Sequence, residues 1–154
     1  MAIRKLADLP PRLASDSRVL GVDVGEKTIG LALSDVTRRI ATPMETIRRG
    51  KFTRDAERLA ALVAEHDVGA LVIGLPVNMD GTEGPRCQSV RQFAANILER
   101  MEIEIAFWDE RLSTAAVTRT MLEADLSRAR RRRIVDKMAA AYILQGALDF
   151  LRNR

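Results

Sequence analysis

Cysteine, histidine, aromatic residues and long apolar runs are all scarce in this chain. Cys87 is the only cysteine among 154 residues, so no internal disulfide can form, and a reducing compartment, the cytoplasm, is the expected setting. His66 is the only histidine, and its place at the end of a predicted helix suits it to meet the carbonyl dipole there. Aromatics make up 4% of the residues, so a core must be built from Leu, Ile, Val, Ala and Met, for which a hydrophobic share of 47% is ample. No apolar run approaches the roughly 20 residues of a membrane span. The N-terminal MAIRKLADLPPRLASDSR has no signal-peptide core, and Asp8 and Asp16 argue against an organelle transit peptide.

What is present is charge. Lys and Arg total 25 against 21 Asp and Glu, a net +4, and most of the bases are arginine, the residue suited to bidentate phosphate contact. That balance permits nucleic-acid binding without establishing it. The length suggests one domain, spanning residues 18–154, with residues 1–17 as a loose tail because Pro10-Pro11 blocks a continuous helix.

The most informative stretch is Arg18 to Ser34, RVLGVDVGEKTIGLALS. Its first apolar run is mostly β-branched, Gly25 to Thr28 forms a turn, and Ile29, Leu31 and Leu33 alternate with small or polar residues. This pattern predicts a β-hairpin. Arg39 to Arg48 reads as a third strand, with Pro43 marking an edge or bulge, and Phe52 to His66 as an amphipathic helix. Ala70 to Leu75 is a buried strand, Pro76 to Glu83 a loop with an Asp-Gly turn, and Pro85 opens a helix to about Met101. Ile103 to Trp108 is the last strand. Ser113 or Thr114 can cap a helix to about Glu123, the basic run Arg128 to Arg133 reads as a loop, and Ile134 to Leu151 as a buried helix with Asp136 in its first turn. Sequential hairpin strands followed by βαβ units imply an α/β fold: a mixed sheet with helices on both faces.

Three acids stand where such a sheet could gather them. Asp23 lies mid-strand and shares its side with Gly21 and Gly25, which leaves space beside the carboxylate. A buried carboxylate needs a cationic partner: Arg, Lys or a metal. Glu110 follows the last strand directly, and Asp136 begins a buried helix. Each also has a plainer role open to it: turn stabilisation for Asp23, a surface pair with Arg111 or Arg86 for Glu110, and a helix N-terminus for Asp136. Asp35 and Asp109 read as surface or capping acids. The Arg128–Arg133 run (Arg128, Arg130, Arg131, Arg132, Arg133) is the best candidate for phosphate contact, against the alternative of a solvated loop.

The segments GVDVGEKTIGLALSD, IGLPVNMDGTEGP, FWDERLST and VDKMAAAYILQ, in that order, resemble the YqgF family, also called RuvX, within the ribonuclease H-like superfamily. The resemblance covers about residues 18–151. It implies a ribonuclease H-like fold: a five-stranded mixed sheet, three antiparallel strands first, with helices on both faces. It also implies an acidic site for Mg²⁺ or Mn²⁺, with Asp23, Glu110 and Asp136 as catalytic and metal-binding residues. A fourth carboxylate, which related resolvases carry one helical turn on, is replaced here by Ala139 and Ala140. Asn78 and Thr82 lie in the most distinctive loop and are candidates, with Arg111, to shape the nucleic-acid side of the site.

The resemblance implies a metal-dependent endonuclease maturing the 5′ end of precursor 16S ribosomal RNA. A junction resolvase acting on branched DNA is the alternative and requires a two-fold dimer; no dimer face is legible, so monomer and weak homodimer both stand. A non-catalytic nucleic-acid module would not need all three acids. An actin-like or sugar-kinase ATPase would need a second domain and phosphate loop, which this chain lacks.

Overall fold

The computed structural model describes residues 2–112 and 128–153, the side chains of residues 128–135 excepted. Its elements are β1 (Ile3–Arg4), β2 (Arg18–Val24), β3 (Thr28–Ser34), β4 (Ala41–Arg48), α1 (Phe52–Glu65), β5 (Val68–Leu75), α2 (Pro85–Leu98), β6 (Glu104–Asp109) and α3 (Arg128–Arg152). The helix expected from Ser113 or Thr114 to about Glu123 lies outside the described residues.

The strands form one sheet in the order β1-β6-β5-β2-β3-β4. β2, β3 and β4 are antiparallel neighbours, whereas β5 pairs parallel with β2 and β6 with β5. Pro43 sits on the edge strand beside a register shift: Leu31 pairs with Glu45 but Ala32 with Pro43, leaving Met44 as an extra residue. His66 closes α1, its backbone N–H donating to the Leu62 carbonyl at 3.0 Å.

Among the described residues the sheet has six strands rather than the expected five. The added one is β1, whose Ile3 and Arg4 pair parallel with Ile105 and Ala106. The segment expected as a loose tail continues in two single 3₁₀ turns, Leu6–Asp8 and Pro10–Arg12, with Leu6 and Leu9 buried. A two-residue strand is too short for periodicity to reveal. Leu6 and Leu9 become core residues because the sheet and α3 together cover them.

Period-two alternation sorts the sheet between two cores. Leu20, Val22, Leu71, Ile73 and Ile105 pack with α1 and α2 on one face. Val19, Ala32, Ala70, Val72, Ala106 and Trp108 pack with α3 on the other. The α3 side of the sheet is rich in small residues, so this helix lies very close to the strands. A Cβ on Gly21 would stand 2.7 Å from the Leu144 Cβ and 2.9 Å from the Ala140 carbonyl oxygen.

α3 also begins earlier than the sequence suggested. Arg128 to Arg133 form its first turns, not a loop, and Asp136 lies about two turns in. Arginine is a good helix former, and neither Gly nor Pro interrupts residues 128–145, so the buried segment propagates upstream.

Asp35, read as a capping or surface acid, caps the β3–β4 turn. Its Oδ1 accepts the backbone N–H of Arg39 at 2.8 Å and of Ile40 at 3.0 Å, and Thr37 donates its hydroxyl to Oδ2. These bonds, that of Ile40 foremost, hold the carboxyl below its ordinary range. A depressed folded pKa contributes stability above the unfolded value of roughly 4 and loses it as pH falls through the folded value. Asp35→Ala should therefore lower Tm by about 2–4 °C at pH 7, the effect of roughly 1 kcal/mol, and by progressively less in thermal melts below pH ~4.

Candidate active site

Asp23 occupies the α3 face of β2 and is 7% exposed. In the sheet it stands between two glycines. Gly30 is its cross-strand partner on β3. On β5 the register pairs Val22 with Ile73, so one step further sets Gly74 beside it. Neither neighbour carries a side chain, and each vacated space is filled by part of another element.

Over Gly30 runs the backbone of α3. A Cβ there would meet the Asp136 carbonyl oxygen at 2.1 Å and the Lys137 nitrogen at 3.1 Å. Over Gly74 lies Glu110, delivered by the 3₁₀ turn Glu110–Leu112 that follows β6 directly; a Cβ on Gly74 would be 3.0 Å from its Oε1. Asp136 and Glu110 thus arrive on opposite flanks of Asp23, at one end and one face of the sheet. Thr28, two residues before Gly30 and on the same side, donates its hydroxyl to Asp136 Oδ2.

The donor set is entirely carboxylate oxygen, the hard ligand type that Mg²⁺ and Mn²⁺ take. Among the described residues, no three Asp, Glu, His or Cys side chains are drawn close enough to hold an ion as placed. Their carboxylate chemistry is that of a divalent-cation site, and chelation would require them to close in from where they stand. The position one turn after Asp136 cannot add a fourth acid: Ala139 and Ala140 are 2% and 0% exposed, with the Ala140 carbonyl against Gly21.

The other candidates divide. Arg111 does not pair with Glu110. Its guanidinium forks onto Asp109, with Nη2 to Oδ2 at 2.7 Å and Nε to Oδ2 at 3.0 Å, and Nη1 donates to the Met79 carbonyl at 3.4 Å. Asp109, expected as a surface or capping acid, is therefore the partner of Arg111, whose guanidinium holds the carboxyl below its ordinary range. The pair ties the end of β6 to the loop after β5. Asn78 and Thr82 fasten that loop to itself: Asn78 Nδ2 donates to Thr82 Oγ1 at 3.1 Å, and Thr82 Oγ1 to Asp80 Oδ1 at 2.6 Å. The backbone of Arg128 and Arg130–Arg133 opens α3, the helix that carries Asp136; their side chains lie outside the described residues. Cys87 is buried and its thiol pushed up in pKa by that burial, which argues against a thiolate nucleophile.

Thr28, Gly30 and Gly74 escaped the sequence reading. The hairpin pattern already placed Thr28 and Gly30 on one side of their strand, so their relation to Asp23 was available from the register. Gly74 was not, because nothing in the sequence says that β5 lies beside β2.

A family model described as RuvX, Holliday junction resolvase, matches residues 17–150. A candidate pre-16S rRNA nuclease of Paramagnetospirillum magneticum is 66% identical over 149 residues, 97% of this chain and 96% of that protein. One of Rhodospirillum centenum is 60% identical over 158 aligned positions, 99% of this chain and 84% of the relative. Among solved structures, Thermus thermophilus RuvC superposes with a TM-score of 0.53 at 11% identity, covering 88% of this chain and 96% of that one. The same protein in complex with a Holliday junction substrate gives 0.52 at 12% identity, covering 86% and 93%. At such identities the likeness is one of fold.

Proposed function

Since the chain belongs to the RuvX family, we propose that it is a cytoplasmic, divalent-metal-dependent endonuclease that matures the 5′ end of precursor 16S ribosomal RNA. The fold is ribonuclease H-like. The observation that carries the proposal is the approach of Glu110 and Asp136 to either flank of Asp23, over Gly74 and Gly30. Carboxylates that converge on one point of a sheet repel each other, and a cation bound between them would relieve that repulsion.

Asp23, Glu110 and Asp136 would hold Mg²⁺ or Mn²⁺. Such ions lower the pKa of attacking water and stabilise the charge on the leaving oxygen of a phosphodiester. Asp23, held near the C-terminal end of β2, fixes the floor of the site. Glu110 and Asp136 come from a turn and a helix and can adjust their approach. Thr28 fixes one oxygen of Asp136 and leaves the other for the site. Water oxygen adds to phosphorus, the bond to the 3′ oxygen breaks, that oxygen takes a proton, and the products are a 5′ phosphate and a 3′ hydroxyl.

The test is incubation of the protein with a precursor 16S RNA spanning the mature 5′ end, in Mg²⁺ or Mn²⁺ and in EDTA. Metal-dependent cleavage is expected; an intact precursor under all conditions would remove the proposal. Thr28→Val should reduce cleavage about tenfold, the lower end of what loss of a ligand-orienting hydrogen bond costs, with Thr28→Ser restoring it. The description of the matching family favours a second reading, a Holliday junction resolvase. It predicts a two-fold dimer that nicks a four-way DNA junction symmetrically, checked by light scattering and by cleavage of a synthetic junction.

A further inference from the structure

We propose that the corner formed by the β2–β3 turn and the β4–α1 connection binds the phosphate backbone of the nucleic acid on one side of the cleaved bond. This rests on the nuclease reading and adds a substrate track to it. Lys27, Arg48, Arg49, Lys51 and Arg54 meet at that corner, and all five are exposed. The Arg49 backbone N–H donates to the Lys27 carbonyl at 2.8 Å, and its Nη1 to the Gly25 carbonyl at 2.7 Å, so the turn and the connection are clasped together. Arg54 reaches back over side-chain-free Gly50 to donate to the Arg48 carbonyl at 3.3 Å.

Two features separate this corner from ordinary surface charge. The first is the lack of counter-charge. Several arginines elsewhere are paired, Arg4 with Glu104, Arg58 with Glu45, Arg91 with Glu83, Arg111 with Asp109 and Arg152 with Asp149, and those that are not, such as Arg12 and Arg39 among the described residues, are scattered rather than gathered at one corner. Among the described residues Lys27, Arg48, Arg49 and Lys51 form no ion pair, and Arg54 only approaches Asp55 at 3.8 Å. Asp55 is buried and accepts the Gly50 backbone N–H at 3.2 Å, and Glu26 is the one acid exposed in the turn itself. Holding like charges together without partners is unfavourable, and a polyanion relieves it.

The second feature is position. Arg48 pairs across the sheet with Thr28, whose hydroxyl holds Asp136. Ile47 is buried with α1 and α2, so alternation turns Arg48 to the face that carries the acids. The corner lies at the same end of the sheet as Asp23, toward the β4 edge, while Arg111 stands on the β6 side. A strand laid across the acids would meet cations as it leaves on the β4 side.

The experiment compares wild type with Lys27→Gln/Arg48→Gln/Lys51→Gln. No side chain of these three makes a hydrogen bond or ion pair among the described residues, so the fold should survive, as circular dichroism and melting would verify. The control is Lys5→Gln/Arg12→Gln/Arg39→Gln, which removes equal charge away from the corner. Anisotropy with a labelled single-stranded RNA in EDTA gives affinity against salt; cleavage of the 16S precursor in Mn²⁺ gives kcat and KM. The corner variant should bind about tenfold more weakly than the control and lose roughly 2 from the slope of log K on log salt, as expected for three contacts at ~0.7 each. Its KM should rise with kcat nearly unchanged. A corner variant matching the control, beside a wild type that binds and cleaves, would overturn the track and leave the nuclease reading standing. A wild type that neither binds nor cleaves would overturn both.

Discussion

Asp23→Asn should abolish most cleavage, lowering kcat by about 10²–10³-fold, the size of losing one fixed electrostatic contact to the reacting centre. The substitution keeps shape and removes charge. Asp23 sits 7% exposed between Gly30 and Gly74, with Asp136 and Glu110 over those glycines, so the other two acids cannot replace it from another direction. Fold and metal effects separate in thermal melts. Without metal the variant should melt close to the wild-type temperature, because Asn keeps the size and shape of the side chain. Mg²⁺ or Mn²⁺ at a hundred times Kd should stabilise the wild type by about 2.7 kcal/mol, and the variant by far less. Equal cleavage by both proteins, or equal metal-induced shifts, would remove Asp23 from the site.

Gly30→Ala should be among the most destabilising single-methyl additions in the chain. The new Cβ would lie 2.1 Å from the Asp136 carbonyl oxygen and 2.4 Å from its carbonyl carbon. The obstacle is helix backbone, so no rotamer change relieves it; α3 must retreat from β3. Overpacking of this kind costs about 3 kcal/mol or more, which is roughly 6–12 °C in Tm for a domain of this size. Cleavage should fall further than stability explains, since the retreat carries Asp136 from Asp23. Gly81→Ala is the comparison. Gly81 has φ +91°, but its Cβ would meet only Arg111 Nη1 at 3.7 Å, so the expected cost is backbone strain of about 1 kcal/mol, with little effect on cleavage. Calorimetry and cleavage on both variants test the contrast; similar losses would show that the α3 contact does not set the geometry of the site.

From local patterns alone the chain yields most of its elements and singles out the candidate acids. Alternation from Val19 to Ser34 predicts the hairpin now seen as β2 and β3, Pro43 announces the irregular edge of β4, and the continuous apolar run at Ala70–Leu75 predicts β5. These succeed because period and turn chemistry are local, written within a few residues of one another. The four motifs likewise picked out Asp23, Glu110 and Asp136 one at a time.

How those acids stand to each other emerges only from long-range contacts. Strand order places Gly74 next to Asp23, and the close packing of α3 sets the Asp136 backbone on Gly30. It also turned Leu6 and Leu9 from tail into core, and the arginine run from loop into helix. Each is a contact between segments far apart in the chain. Burial against a partner surface, rather than local propensity, fixes such contacts, and no window of sequence contains both sides.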